Sequence, residues 1–100
     1  MKALISLCLI ASVFVSGAAL ASAELVAKNK CNTCHSPDKK MIGPTWKDIA
    51  AKNKGKKDAD KALVASITKG SKDKYGKIPM PAQAAAAADA PALAKWILGQ

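Results

Sequence analysis

The densest chemistry in this 100-residue chain is Cys31-Asn32-Thr33-Cys34-His35, two thiols three positions apart with the only histidine directly behind them. Four chemistries use such a cluster. A disulfide across two intervening residues closes a very small loop and constrains the unfolded chain little, and small secreted folds held by disulfides carry several. A thioredoxin-like redox pair needs a strand before the motif and alternating strands and helices after it, and no strand pattern is visible. Zinc needs about four ligands, and beyond these three the chain offers no second CxxC and no further histidine. Covalent haem attachment needs what is present. CxxCH sets two thiols on one side of a helical turn, roughly 5–6 Å apart, where both can add to the vinyl groups along one porphyrin edge with the histidine under the iron. The motif predicts one covalently attached haem c.

The second axial ligand cannot be another histidine, which leaves methionine. Met41 follows His35 by six residues and Met80 by forty-five. A ligand on the far face must come from chain that has travelled round the haem, which Met41 manages only by a nearly extended path. Lys77-Ile78-Pro79-Met80-Pro81 also sets its thioether between two prolines whose φ angles are fixed in advance, so the loop loses little entropy on ligation. Met80 is the candidate, and Met41 reads as an apolar contact on the histidine side.

These residues need a scaffold, and the chain is short of material for one. Lys2 precedes an uncharged run from Ala3 to Ala23 that ends Ala21-Ser22-Ala23, the form of a secretory signal cleaved after Ala23; an uncleaved anchor is the alternative, since roughly 20 apolar residues suffice to span a bilayer. Cys8 lies inside that run and leaves with it. Residues 24–100 then form one domain with sixteen large apolar or aromatic side chains, and Trp46, Tyr75 and Trp96 are its aromatics. Domains of this size usually need a metal, disulfides or another rigid insert. Helical signals are spaced along it: Leu25 to about Cys34; Thr45 to Asn53; a helix capped by Asp58 or Asp60 with Leu63, Val64 and Ile67 on one face and Gly70 ending it; and a last helix from Asp89–Pro91 with a Leu93, Trp96 and Ile97 stripe. Lys52–Lys61 reads as a solvated connection.

CNTCH, MIGPTWKDIA, KGSKDKYGKIPMP and ALAKWILGQ occur in the order and spacing of the small bacterial class I cytochromes c. Residues 24–100 resemble the monohaem members that serve respiratory nitrite reductases and oxidases. The resemblance implies an all-α fold of three to five helices wrapped round one haem. It implies thioethers at Cys31 and Cys34, axial ligands His35 and Met80, and a Pro44 carbonyl that accepts from the His35 nitrogen facing away from iron. Three departures stand out. Tyr75 occupies a position where tryptophan is common, so its hydroxyl, or Trp46, is a candidate partner for a haem propionate, with plain core packing the alternative. The chain has no arginine, so cationic partners for propionates must be lysines. The Ala84–Ala88 run replaces a more polar segment and has no functional reading.

The formal charge of +9 falls to +8 when Lys2 is removed with the signal. A secreted basic chain without arginine points away from nucleic acid and towards acidic partner proteins or anionic membrane surfaces; the resemblance implies that the partners are acidic redox proteins, a respiratory donor complex and a terminal reductase or oxidase. Lysines flank both the cysteine motif (Lys28, Lys30, Lys39, Lys40) and the methionine loop (Lys69, Lys72, Lys74, Lys77), which places docking at the haem edge. The expectation is a periplasmic, monomeric one-electron carrier and no enzyme, without stable membrane insertion after cleavage. A small peroxidase or gas sensor with a displaceable methionine is the alternative, and it lacks a distal histidine or arginine. Mass spectrometry of the purified protein checks cleavage and attachment together: the expected mass is residues 24–100 plus one haem, and a mass retaining residues 1–23 contradicts it.

Overall fold

The structure, a computed structural model, describes residues 17–100, with side chains from residue 22 onward. Most of the expected signal, residues 1–16, therefore lies outside the described residues. Four helices follow: α1 (Gly17–Lys28), α2 (Trp46–Asn53), α3 (Ala59–Lys69) and α4 (Ala90–Leu98). Short 3-10 turns cover Cys31–Thr33 and Ala84–Ala86. Among the described residues the only strand-like pairing is one antiparallel bridge, Ser71 with Met80.

α4 is the hub, packing on α1, α2 and α3. Its inward face is Ala90, Leu93, Ala94 and Ile97, all buried. The expected stripe is thus corrected: Trp96 is only half-buried and meets the Trp46 ring edge-on, centroids 5.5 Å apart. Alanines at i and i+4 let the neighbouring helices approach closely, which a larger side chain would prevent. The alanine run acts similarly. Ala86 is buried, and Gln83 N–H donates to the Ile67 carbonyl at 2.7 Å, drawing this segment onto α3.

Helix ends follow their capping residues with two corrections. Thr45 Oγ1 accepts from Asp48 N–H at 3.0 Å and starts α2, and Gly70, at φ +81°, ends α3. Asp58 holds the N-cap position of α3 in a left-handed conformation (φ 58°) but makes no side-chain cap; its carboxylate pairs instead with Lys61 at 3.8 Å. The first helix stops at Lys28, before the cysteines: Asn29 N–H still completes the helical bond to the Leu25 carbonyl, which the Asn29 side chain also takes, and the helical backbone breaks at the next residue. Lys30 is then left-handed (φ 59°). The cysteines consequently sit on a tighter 3-10 turn, in which residues three apart eclipse one another.

The same Asn29 Nδ2 donates to Asp89 Oδ2 at 3.1 Å, and Lys28 Nζ lies 3.4 Å from that oxygen. This joins the end of α1 to the start of α4. The Asn29 hydrogen bond first, and then the Lys28 ammonium, hold the Asp89 carboxyl below its ordinary pKa of 3.8. A depressed folded value contributes stability that is present above the ordinary pKa and is lost as pH falls through the folded one. Asp89→Asn should therefore lower the denaturation midpoint at pH 7, with the gap to the parent closing below about pH 4; a gap independent of pH would show that the carboxylate's charge is irrelevant.

Candidate functional site

All seven residues singled out in the sequence, Cys31, Cys34, His35, Pro44, Trp46, Tyr75 and Met80, line one cavity of about 490 Å³. That volume is in the range of cofactor sites. Its inner wall is apolar and comes from three helices: Trp46 and Ile49 of α2, Leu63 and Ile67 of α3, Leu93 and Ile97 of α4.

The histidine side is built by the chain folding back over the cysteine turn. Gly43 N–H donates to the Cys34 carbonyl at 2.8 Å and Trp46 N–H to the Ser36 carbonyl at 3.0 Å, bracketing His35. His35 is buried, its ring stacked on Trp46 with centroids 4.6 Å apart. Its Nδ1 lies 2.7 Å from the Pro44 carbonyl. A carbonyl only accepts, so Nδ1 carries the proton and Nε2 keeps a free lone pair, the form in which imidazole binds a metal. Gly43 is necessary to this geometry. A Cβ there would stand 2.6 Å from His35 Cε1 and 2.9 Å from Nδ1.

The thiols of Cys31 and Cys34 are free and half-buried. Burial pushes the Cys31 thiol above its ordinary pKa, opposed by a backbone hydrogen bond. A redox pair depends on the opposite shift, towards thiolate. The donor set therefore suits attachment of a haem better than dithiol exchange: two thiols on one turn, an imidazole with Nε2 free, and a large apolar cavity beside them.

Met80 enters the cavity from the loop after α3 and is held at both ends. Ser71 N–H donates to the Met80 carbonyl at 3.0 Å and Met80 N–H to the Ser71 carbonyl at 2.9 Å, closing the loop between them. Gly70 allows this contact, since a Cβ there would lie 2.7 Å from the Met80 oxygen. Met41, by contrast, is 48% exposed on the cavity's rim. Tyr75 Oη accepts from Asn53 Nδ2 at 3.2 Å, and burial raises its pKa, opposed by that hydrogen bond.

Sequence reasoning missed Lys52, Asn53 and Ser66, which also line the cavity. The signal was available for two of them. Asn53 continues the Trp46 and Ile49 face at helical spacing, and Ser66 stands one turn beyond Leu63. The second helix reaches Asn53 as expected, and the connection expected over Lys52–Lys61 shortens to residues 54–58 because α3 begins at Ala59.

The family model described as Cytochrome c matches residues 19–100. Cytochrome c-551 of Pseudomonas aeruginosa is 42% identical over 99 residues, covering 98% of this chain and 95% of that protein. Cytochrome c-552 of Nitrosomonas europaea is 47% identical over 88 residues, covering 87% and 85%. The crystal structure of wild-type Nitrosomonas europaea cytochrome c552 superposes with a TM-score of 0.75 at 47% identity, covering 77% of this chain and 96% of that one. The class 1 cytochrome MtoD of Sideroxydans lithotrophicus gives 0.65 at 30% identity, covering 79% and 91%.

Gly43→Ala should force the His35 ring from its stack on Trp46, because the clash is with the ring and the adjoining backbone. The expected cost is about 1–3 kcal/mol in denaturant unfolding, and an unchanged midpoint would mean that the loop relaxes freely.

Proposed function

Because this chain belongs to the cytochrome c family, and so is a small electron carrier with one covalently bound haem c and no enzyme, we propose that His35 and Met80 are the side chains that would ligate its iron. Cys31 and Cys34 carry the thioethers. Bound here, the haem supplies a one-electron ferric–ferrous couple, and a thioether ligand raises its potential relative to two histidines. The observation that carries the assignment is the pairing in one cavity of a buried histidine committed to Pro44 through Nδ1 with a methionine tied to Ser71 in both directions. Both ligands are positioned in advance, so little of the chain must move when charge changes. The apolar wall around them excludes water.

The same reading makes residues 1–23 a signal cleaved after Ala23, delivering a periplasmic monomer. Glu24 then stands at the start of what remains of α1, where an acidic side chain is favoured by the helix dipole. Among the described residues no helix is long and apolar enough to cross a membrane. The partners are acidic redox proteins, a respiratory donor complex and a terminal reductase or oxidase. Their docking face is the cavity's rim. Met41, Ile42 and Ile78 are 48%, 57% and 67% exposed there, beside Lys40 and Lys77. An apolar centre among cations suits fast electrostatic encounter and fast release. Peroxidase or gas-sensor chemistry has no support, since the chain offers no second histidine and no arginine for a distal site.

Met80→Ala tests the ligand assignment. The haem should stay attached, because the two cysteines hold it independently of the axial bond. The near-infrared sulfur-to-iron band of the oxidised protein should disappear, and the reduced protein should bind carbon monoxide. A persistent band with no carbon monoxide binding would shift the assignment to Met41.

A further inference from the structure

Two lysine ammoniums on the cavity's lining lack the carboxylates that commonly neutralise such groups. Lys52, in the last turn of α2, lies with Nζ 4.3 Å from the Tyr75 ring centroid and donates to the Lys74 carbonyl. Lys74 turns its own Nζ to Ser66 Oγ on α3, 3.0 Å away. The ion pairs among the described residues join Lys28 to Asp89 and Lys61 to Asp58, so Lys52 and Lys74 have no acidic partner. Asp73 lines the same cavity and pairs with neither. Lys56 and Lys77 add further positive charge to the lining.

Each ammonium is nonetheless held. Lys52 rests on an aromatic face and a carbonyl, and Lys74 on a hydroxyl. All of these are neutral groups that orient a cation without cancelling its charge. Tyr75 accepts its hydrogen bond from Asn53, which leaves the phenol proton to donate elsewhere. Two fixed cations and one free hydroxyl thus converge on one side of a cavity whose inner wall is apolar. Such a set of donors suits a carboxylate.

Resting on the reading of a covalently held haem, we propose that Lys52 and Lys74 form a cationic clamp for its propionate carboxylates, with the Tyr75 hydroxyl as the third donor. In a chain without arginine the charge comes from two lysines that brace one another: Lys52 fixes the Lys74 backbone, and Ser66 fixes the Lys74 side chain. Ammonium groups are point charges without the planar fork of a guanidinium, so pre-orientation by Tyr75 and Ser66 offsets the rotamer entropy they would otherwise lose. Positive charge in this place favours the ferrous form, because oxidation adds a positive charge to the iron.

The test is a spectroelectrochemical titration of the haem-bearing protein at low salt, with Lys52→Gln, Lys74→Gln, the double variant, Lys74→Arg and, as a control for general surface charge, Lys95→Gln. Lys52→Gln and Lys74→Gln should each lower the ratio of reduced to oxidised protein at fixed applied potential by roughly two- to sixteenfold, the span Coulomb's law gives for one charge lost at about 10 Å between water-like and surface-like dielectric. The double variant should fall further, Lys74→Arg should stay near the parent, and all should keep the near-infrared band. Ratios matching Lys95→Gln would overturn the clamp. So would a fall as large in Lys74→Arg as in Lys74→Gln, or a fall accompanied by loss of the band, since either makes the lysines braces of the methionine loop and not charges. A parent protein isolated without a covalent haem spectrum would overturn the underlying reading itself, before any variant is compared.

Discussion

The hydrogen bond between His35 Nδ1 and the Pro44 carbonyl is the contact on which the site depends, because one proton position decides which imidazole nitrogen is free to act. It fixes the tautomer, points Nε2 away from the loop and makes Gly43 obligatory, since any Cβ there would meet the ring. The same few residues do the structural work of the neighbourhood. Thr45 caps α2, and Trp46 opens that helix, stacks on the histidine and carries the contact onward to Trp96. A single tight passage therefore sets the tautomer of the one histidine and begins a helix.

A second constraint is scarcity. The side chains that would form the centre of a larger protein's core, Leu63, Ile67, Leu93 and Ile97, here face both one another and the cavity. Burial of each contributes about 1.5–3 kcal/mol only where apolar atoms cover it. In a protein whose family carries a covalent haem, the cofactor completes the core as well as supplying the chemistry, which couples folding to attachment. Small side chains at Ala86, Ala90 and Ala94 make the remaining packing possible, bringing α4 close to its neighbours without demanding apolar volume the chain does not have.

Charge is distributed on a different principle. The acids that make contacts pair within the chain, Asp89 to join α1 to α4 and Asp58 at the surface beside Lys61, while most of the described lysines are left without an acidic partner. Those near the cavity divide into two kinds. Lys40 and Lys77 accompany exposed apolar side chains at the rim, where a partner protein would meet them. Lys52 and Lys74 are turned back onto Tyr75 and Ser66 and belong to the site itself.

The sequence by itself determined the cofactor, its attachment and the number of elements, because each rests on local covalent pattern: CNTCH has one chemistry that uses all three functional groups, and Thr45, Gly70 and Pro91 mark helix ends wherever the chain goes. It also brought forward the seven residues that meet in one cavity. Only the tertiary structure decided what depends on who sits opposite whom. Asp58 stood at its helix start without capping it, because the backbone there is left-handed and the carboxylate meets Lys61. The last helix turned Ala90 and Ala94 inward and left Trp96 half out, because the approach of α1 and α3 leaves room for methyl groups and not for an indole. The end of the first helix came to be tied to the start of the last through Asn29 and Asp89, sixty residues apart, and Lys52 became part of the site because Tyr75 came to lie beneath it. Propensity and periodicity report on neighbours three and four residues apart, and contacts between residues distant in the chain exist only once the fold has formed.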